Sequence, residues 1–273
     1  MFRYDIPPFQ MSFWRWVLAF LILAVLAFPH VRAHAKQVRR ELPFLALLGA
    51  IGITAFNSLV YKALHHTTVI NAALINSLMP VLTFLLALLI IGDRLNRRQI
   101  AGVLVSVAGA LAIIAQGELS RLGALGVGSG DLLVLCAVSF WALYTVLIKW
   151  HPTKLPPMVF LAVTVGFGTL FHLPLVFWEL AHVGGFAPDI RNISVLIYFA
   201  VFPSVLAYIF WGKAVAAMGP GKTGIFMYLM PVFSTALAVA FLSEALHVYH
   251  FFGIALIFSG IALVTSIPRV WPA

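Results

Sequence analysis

Residues 78–95 read LMPVLTFLLALLIIGDRL, and residues 229–246 read LMPVFSTALAVAFLSEAL, 151 positions further along the chain. Each stretch opens with Leu-Met-Pro, continues as an apolar helix and ends in a turn that carries an acid. The same offset aligns further identical residues without a gap: Lys62-Ala63 with Lys213-Ala214, Gly102 with Gly253, and Gly109 with Gly260. Self-similarity at one fixed spacing predicts an internally duplicated helical protein.

The composition indicates that the chain lies in a membrane. Of its 273 residues, 63% are hydrophobic and only 9% are charged, and the mean hydropathy is +1.06. A spanning helix needs about 20 apolar residues, and segments of that length recur from end to end. The net charge of +9 comes from Lys and Arg clusters between these segments, which indicates membrane topology rather than nucleic-acid binding.

Length and apolarity together predict nine spanning helices. They cover about residues 11–28, 43–63, 68–91, 99–115, 131–149, 157–180, 193–214, 223–243 and 249–267. Cations concentrate in the connections after the first, third, fifth and seventh helices, which are therefore predicted to be cytoplasmic. This places the C-terminus in the cytoplasm and the N-terminus of the given chain outside.

The two copies are predicted to be inverted, because the connection after Lys62 should face outward while its equivalent after Lys213 should face the cytoplasm. Under the offset, the helix at 131–149 pairs with positions before Met1. We therefore expect an all-α polytopic membrane protein with two inverted five-helix repeats, a ten-helix plan of which about nine helices are present. Residues 1–116 would form the first repeat without its first helix, 117–130 an outward-facing linker, and 131–273 the second repeat. A truncated chain, a late start and a true nine-helix protein all remain open.

None of the eight acids falls at the predicted middle of the membrane. Charged groups at that depth are costly and usually mark an ion or substrate pathway. The pattern therefore favours facilitated diffusion, or coupling through His or Lys, over a carboxylate-driven exchanger. The single cysteine, Cys136, and the scattered histidines give no metal-ligand spacing. Neither a metal nor another cofactor is predicted.

Uncharged polar residues inside the helices indicate a substrate cavity, since in lipid such groups need partners within the protein. Asn57 and Tyr61 share a helix face, and Tyr208 is the repeat equivalent of Asn57. The candidate cavity residues are Asn57, Tyr61, Asn76, Trp141, Tyr144, Thr145, Tyr208, Trp211, Phe226 and Tyr228. Aromatic rings with amide and hydroxyl groups suit amino acids with apolar or aromatic side chains. Interhelical packing, or a place in the aromatic belt at the membrane interface, is the alternative interpretation for these residues.

Equivalent prolines and glycines suggest how the helices move and pack. Pro80 and Pro231 each remove a backbone hydrogen bond inside a predicted helix and are candidate hinges. Small residues recur on the last helix of each repeat, at the four glycines aligned above. They predict either close helix packing or a homodimer.

Two further residues in the predicted helices are able to carry charge. Arg15 lies one turn into the first helix between Trp14 and Trp16, so an interfacial anchor that reaches water is favoured over a partner for a substrate carboxylate. His172 lies within an apolar segment, and a packing role is favoured over proton transfer.

Several motifs together resemble those of the EamA-type drug/metabolite transporter superfamily. One is the proline in the fourth helix of each five-helix repeat, Pro80 and Pro231. The others are Gly92-Asp93-Arg94-Leu95 with Ser243-Glu244-Ala245-Leu246, Phe13-Trp14-Arg15-Trp16 after Ile6-Pro7-Pro8, Gly130-Asp131-Leu132-Leu133 before Trp141-Ala142-Leu143-Tyr144, and Pro203-Ser204-Val205-Leu206-Ala207-Tyr208. Within that superfamily the chain resembles bacterial amino-acid exporters, including YddG-like exporters of aromatic amino acids. The resemblance implies ten helices around a central cavity, a bacterial inner (plasma) membrane and export from the cytoplasm.

The sequence therefore predicts a secondary transporter, not an enzyme, that exports amino acids or similar small amphipathic metabolites by alternating access. Its expected partners are a small-molecule substrate, an amino acid, and the lipid bilayer. A nucleotide-sugar or drug carrier of the same superfamily is the alternative. A membrane-embedded metabolite receptor or enzyme would need a mid-membrane catalytic acid, a His or Cys cluster, or a sensing domain, and the sequence shows none.

Overall fold

The computed structural model describes residues 6–118, 128–242 and 245–266. These ranges contain helices and no strand, and nine of the helices are long and apolar enough to cross a membrane. They are α1 (Pro8–Ala33), α2 (Ala35–Ala63), α3 (Asn71–Ile91), α4 (Arg97–Ile114), α5 (Ser129–Trp150), α6 (Pro157–His182), α7 (Ile190–Met218), α8 (Pro220–Phe241) and α9 (Val248–Thr265). The predicted all-α membrane fold is confirmed. The predicted turn at residues 243–244, most of the predicted linker and the C-terminal residues 267–273 lie outside the described ranges.

The first connection differs from its prediction. Because α1 ends at Ala33 and α2 begins at Ala35, the basic residues Arg32, Lys36 and Arg40 lie in helices rather than in a loop. Apolarity marks only the part of a helix that crosses the hydrocarbon. Lys and Arg are good helix formers, so they extend both helices beyond that part.

Local signals explain where several helices begin and end. At the start of α4, Asn96 Oδ1 accepts from the Gln99 amide (2.9 Å) while Gln99 Oε1 accepts from the Asn96 amide (3.0 Å), a capping box. Gly92 ends α3 in the left-handed region, with φ of 69°. Near the end of α6, the buried Glu179 accepts from the amides of Phe9 and Gln10 at the start of α1 (3.2 and 2.8 Å). An acid there also meets the positive end of the helix dipole.

The two repeats share their helical irregularities at the 151-residue offset. A π-helix spans Gly49–Ala55 in α2, and another spans Ala200–Leu206 in α7. In α3 the helix breaks at Ser77, and the matching part of α8 narrows to the 3₁₀ segment Ile225–Tyr228. Equivalent helices are five spans apart, an odd number, so they run in opposite directions. The two-repeat inverted fold is confirmed, whereas the predicted repeat and linker boundaries stay a prediction.

The close helix packing predicted from the glycines occurs within the chain, where α4 crosses α9. A Cβ on Gly102 would lie 2.7 Å from the Gly260 carbonyl oxygen, and one on Gly109 would lie 2.6 Å from that of Gly253. Each glycine thus contacts the repeat equivalent of the other, which is the reciprocal contact that a two-fold axis produces. The predicted homodimer remains a prediction.

Pro80 and Pro231 were predicted to lie inside continuous helices. In the structure they instead lie near the start of a helical segment. Pro80 lies in the first turn of the segment Met79–Ile91, directly after the break, and Pro231 lies at the same place in Leu229–Leu242. A proline in the first turn removes an amide that needs no intrahelical partner. The preceding helical segment ends at Asn76, four residues before Pro80, where the missing proline amide leaves a carbonyl without its intrahelical partner. Their role as hinges remains a prediction.

Among the described residues, the two largest apolar cores pack most of the helices together. The larger one joins α1, α2, α3, α5, α6 and α7, and the smaller one joins α3, α4, α8 and α9. The first contains Trp141, Tyr144, Tyr208 and Trp211, four of the ten predicted cavity residues.

Candidate functional site

The larger core contains a cluster of aromatic rings centred on Trp141 of α5. Its ring centroid lies 4.7 Å from that of Phe56, 5.5 Å from Tyr144, 5.2 Å from Tyr208 and 5.4 Å from Trp211. The ring of Trp16 on α1 joins the cluster edge-on to Tyr208, at 5.1 Å. We call these six residues the aromatic cluster. It brings together side chains of four helices from both repeats.

Hydrogen bonds tie the aromatic cluster to the π-helix of α2. Tyr208 donates its hydroxyl to the Gly52 carbonyl (2.8 Å). Asn57 Nδ2 donates to the carbonyls of Gly52 and Ile53 (3.2 and 2.9 Å) and lies 3.3 Å from the Tyr208 hydroxyl. A π-turn shifts the helix hydrogen-bond pattern and leaves carbonyls for side chains to bind. The structure therefore brings Asn57 into contact with its repeat equivalent, Tyr208.

A second set of bonds orients the indole rings on α5 and α7. Thr145 donates to the Trp141 carbonyl (2.8 Å) and accepts from Trp211 Nε1 (3.0 Å). In contrast, Nε1 of Trp141 and Nε1 of Trp16 are buried and find no hydrogen-bond partner among the described residues. Such an unpaired donor is uncommon in a core and marks a place where a polar ligand atom would be stabilised.

Arg15 is buried beside the aromatic cluster, so its interpretation as an interfacial anchor was wrong. Only 5% of its surface is exposed. Its Nε donates to Ser204 Oγ on α7 (3.0 Å) and its Nη1 to the Tyr61 hydroxyl on α2 (2.6 Å). The side chain turns toward these helices because hydroxyl acceptors and aromatic rings are available there. Its neighbours Trp14 and Trp16, flanking it in sequence, do not reveal this direction.

A cavity leads to the aromatic cluster from the surface. It has a volume of about 290 Å³, lies between α5, α6 and α7, and is lined by Lys149, Lys213 and Tyr208 among others. Lys213 is exposed and Tyr208 is buried, so the cavity extends from the surface to the cluster. Both lysines lie at the end of their helices that is predicted to be cytoplasmic.

Three of the ten predicted residues lie away from the aromatic cluster. Asn76 and Tyr228 line a separate cavity of about 360 Å³ between α3, α4 and α8, where Tyr228 donates to the Ser77 carbonyl (3.0 Å). Phe226 packs against the smaller core. The structure therefore does not bring these three candidates to the aromatic cluster, because helical spacing shows which residues share a face but not which helix covers it.

The packing role predicted for His172 agrees with its surroundings. The ring is fully buried, with Nε2 2.8 Å from Ser12 Oγ and 3.1 Å from Ser58 Oγ, and Nδ1 2.8 Å from the Gly168 carbonyl. Both ring nitrogens thus have partners, so the side chain links α6 with α1 and α2.

Two functional groups were missed by the sequence reasoning. The Ser204 hydroxyl and the Gly52 carbonyl belong to the equivalent π-helices, and each binds a candidate residue. Under the 151-residue offset, Gly52 aligns with Pro203, next to Ser204. This alignment is the sequence feature that could have identified both groups.

Comparisons with known proteins agree with this architecture. The Bacillus subtilis (strain 168) protein named "Uncharacterized transporter YyaM" is 27% identical over 96% of this chain and 86% of its own length. A protein of Streptantibioticus cattleyicolor named "Probable terminal-alkyne amino-acid exporter" is 29% identical over 93% of this chain and 82% of its own length. A crystal structure with 20% identity shares the fold, with a TM-score of 0.77 over 96% of this chain and 88% of the other.

The family comparison covers both repeats. The sequence pattern of the EamA-like transporter family matches residues 1–115 and again residues 128–266. Together the two matches span nearly the whole chain and are separated where the predicted linker lies. The chain belongs to the EamA-like transporter family.

Proposed function

We propose that this membrane transporter exports amino acids or similar small amphipathic metabolites by alternating access between its two repeats. The observation that carries the proposal is the position of the aromatic cluster. It lies between the cavity of about 290 Å³ on one side and the buried Arg15 on the other. A solute that enters the cavity therefore meets Tyr208 first and must pass between rings of the two repeats.

The aromatic cluster is built to open as the repeats move. Trp16 and Phe56 belong to the first repeat, whereas Trp141, Tyr144, Tyr208 and Trp211 belong to the second. Rocking of one repeat against the other separates these rings, in the manner of transporters built from inverted repeats. The helix breaks before Pro80 and Pro231 are the places where α3 and α8 would bend.

The lining also favours the proposed substrate class. Indole and phenol rings provide a broad apolar surface, while Nε1 of Trp141, which has no partner among the described residues, provides a hydrogen-bond donor. One curated relative is named as an exporter of an amino acid. A nucleotide-sugar or drug carrier remains the alternative within the family.

Reconstitution tests this proposal. The purified chain in liposomes is expected to exchange labelled phenylalanine or methionine, with unlabelled amino acids competing more strongly than a nucleotide sugar or a cationic drug. Trp141→Ala should abolish exchange, whereas Trp150→Ala, an exposed tryptophan on the same helix, should not. Absence of amino-acid exchange by the wild type would contradict the proposal.

Coupling and orientation are tested in the same preparation. The described acids lie near helix ends and His172 has partners at both nitrogens, so we expect exchange to be indifferent to an imposed pH gradient. We also propose a bacterial inner membrane with the C-terminus in the cytoplasm. A reporter that is active only in the cytoplasm, fused to the C-terminus, should be active, and an inactive one would reverse the orientation.

A further inference from the structure

The side chain of Arg15 is a buried cation that has no matching anion among the described residues. Its two bonded acceptors, Ser204 Oγ and the Tyr61 hydroxyl, are neutral. Among the residues that the structure describes, no Asp or Glu forms an ion pair with it. A guanidinium has five N–H donors, and these two hydroxyls engage two of them. The remaining donors need acceptors.

Aromatic rings meet only part of this need. The guanidinium carbon lies 4.8 Å from the ring centroid of Trp16, 5.7 Å from that of Tyr61 and 6.0 Å from that of Phe199. Cation–π contacts stabilise the charge but accept no conventional N–H hydrogen bond. A buried, unpaired charge inside the membrane is costly and typically functional.

A second, independent observation concerns the same place. Trp16, whose ring lies beside the guanidinium, is fully buried and its Nε1 has no partner in the described part of the chain. Arg15 and Trp16 therefore present several hydrogen-bond donors and no acceptor. The ligand that complements them is rich in acceptors and negatively charged.

Neighbouring bonds hold the guanidinium in a fixed orientation. Ser204 donates its own hydroxyl to the Phe199 carbonyl (2.7 Å), across the π-helix of α7, so its oxygen is free to accept from Arg15 Nε. With Nε and Nη1 held, the rest of the planar group is presented as a fork. This geometry matches the two oxygens of a carboxylate.

We propose that Arg15, oriented by Ser204 and Tyr61, binds the carboxylate of the transported solute. The inference rests on the proposed function and deepens it, because it names the substrate class as carboxylic acids and assigns the group that recognises them. The aromatic cluster then contacts the side chain of the solute, while Arg15 holds its charged end. A neutral amide of the same solute would leave the guanidinium unpaired and bind more weakly.

Binding to the purified full chain tests this assignment. The probes are phenylalanine against phenylalaninamide, and phenylacetate against phenylacetamide, with affinity measured by tryptophan fluorescence and thermal stabilisation. Wild-type protein should prefer each carboxylate over its amide. Arg15→Gln should weaken carboxylate binding at least about tenfold, the loss expected for a charge-assisted hydrogen bond, and should remove the preference. Arg39→Gln, an exposed arginine on α2, should behave like wild type.

Further variants keep the test decisive if Arg15→Gln fails to fold. Arg15→Lys keeps the charge but loses the fork, and Ser204→Ala and Tyr61→Phe release the orientation. Each should reduce the carboxylate preference by a smaller factor. Retention of the full preference in folded Arg15→Gln, or in all three milder variants, would overturn the assignment, as would wild-type protein that binds neither carboxylate. If liposomes exchange no amino acid but phenylacetate binds through Arg15, the proposed function fails while the carboxylate site stands.

Discussion

Helices α3 and α8 share the motif Leu-Met-Pro but occupy different surroundings. Met79 on α3 is 5% exposed and belongs to the same core as Val134 and Val138 of α5. Its repeat equivalent, Met230 on α8, is 56% exposed and lines the cavity of about 360 Å³. No helix in the described ranges covers α8 as α5 covers α3. The same local sequence is therefore a core element in one repeat and a cavity wall in the other.

The repeats also differ where they meet at the pseudo-two-fold axis. One position holds Asn57 in the first repeat and Tyr208 in the second, and both side chains bind the Gly52 carbonyl. A symmetric backbone thus carries an asymmetric polar site. The comparison shows that burial and chemistry at equivalent positions depend on the neighbouring helix, and it yields paired tests.

The largest expected difference in stability is between the alanine variants of Met79 and Met230. Met79→Ala should lower the free energy of unfolding by about 2–5 kcal/mol, because it opens a cavity in a packed core. Met230→Ala should change it by less than about 0.5 kcal/mol, as is usual for exposed positions. Thermal unfolding of both variants in the same detergent measures this. Equal losses would mean that the two helices are equally covered.

The equivalent glycines at the α4–α9 crossing should, in contrast, lose similar amounts of stability when they are substituted. Gly109→Ala and its equivalent Gly260→Ala place a Cβ against backbone of the other helix, so both should cost about 1–3 kcal/mol through overpacking. Gly212→Ala serves as the control, since nothing lies within 4 Å of its added Cβ. A strongly unequal pair of melting temperatures would argue against a two-fold crossing.

The Asn57 and Tyr208 pair should lose unequal amounts of stability, with the smaller loss at Tyr208. Asn57→Ala should cost about 1–3 kcal/mol, because it leaves buried π-helix carbonyls with fewer donors. Tyr208→Phe keeps the ring in the aromatic cluster and should cost about 0.5–1.5 kcal/mol. Since both side chains bind one carbonyl, a double-mutant cycle should give non-additive losses. Additive losses would show that the two bonds are independent.

The smallest expected difference in stability is between alanine variants of the equivalent lysines, Lys62 and Lys213. Lys62 Nζ lies 5.6 Å from the ring centroid of Phe9 and 5.9 Å from that of Trp178, whereas Lys213 is exposed. Lys62→Ala should therefore cost about 0.5–1 kcal/mol of cation–π stabilisation. Lys213→Ala should leave the melting temperature unchanged, and a measurable drop there would indicate an unrecognised partner.

Much of the candidate site was predictable because its chemistry is rare in lipid-facing helices. Trp141, Tyr208 and Asn57 stand out in the sequence as large or polar groups within apolar segments, and the structure places them together. Asn76 and Phe226 had the same appearance but lie elsewhere. Helical periodicity assigns a residue to a face, whereas the crossing of helices distant in sequence decides what that face meets.

Arg15 illustrates the same limit for charge. An arginine between tryptophans near a helix end is typical of an interfacial anchor, and nothing local distinguishes it from a buried one. Its partners Tyr61 and Ser204 lie 46 and 189 residues away. Only the packing of α1 against α2 and α7 brings them to its guanidinium.

The sequence by itself determined that this protein lies in a membrane, that its described part crosses it with nine helices, and that its helices form inverted repeats. These properties follow from apolar length, the placement of basic residues and a fixed offset, all of which are local or periodic along the chain. The tertiary structure alone decided which of two equivalent helices is covered, how deep Arg15 lies and which aromatic residues form one cluster. Those outcomes depend on contacts between helices, and identical segments acquire different contacts when different neighbours pack against them.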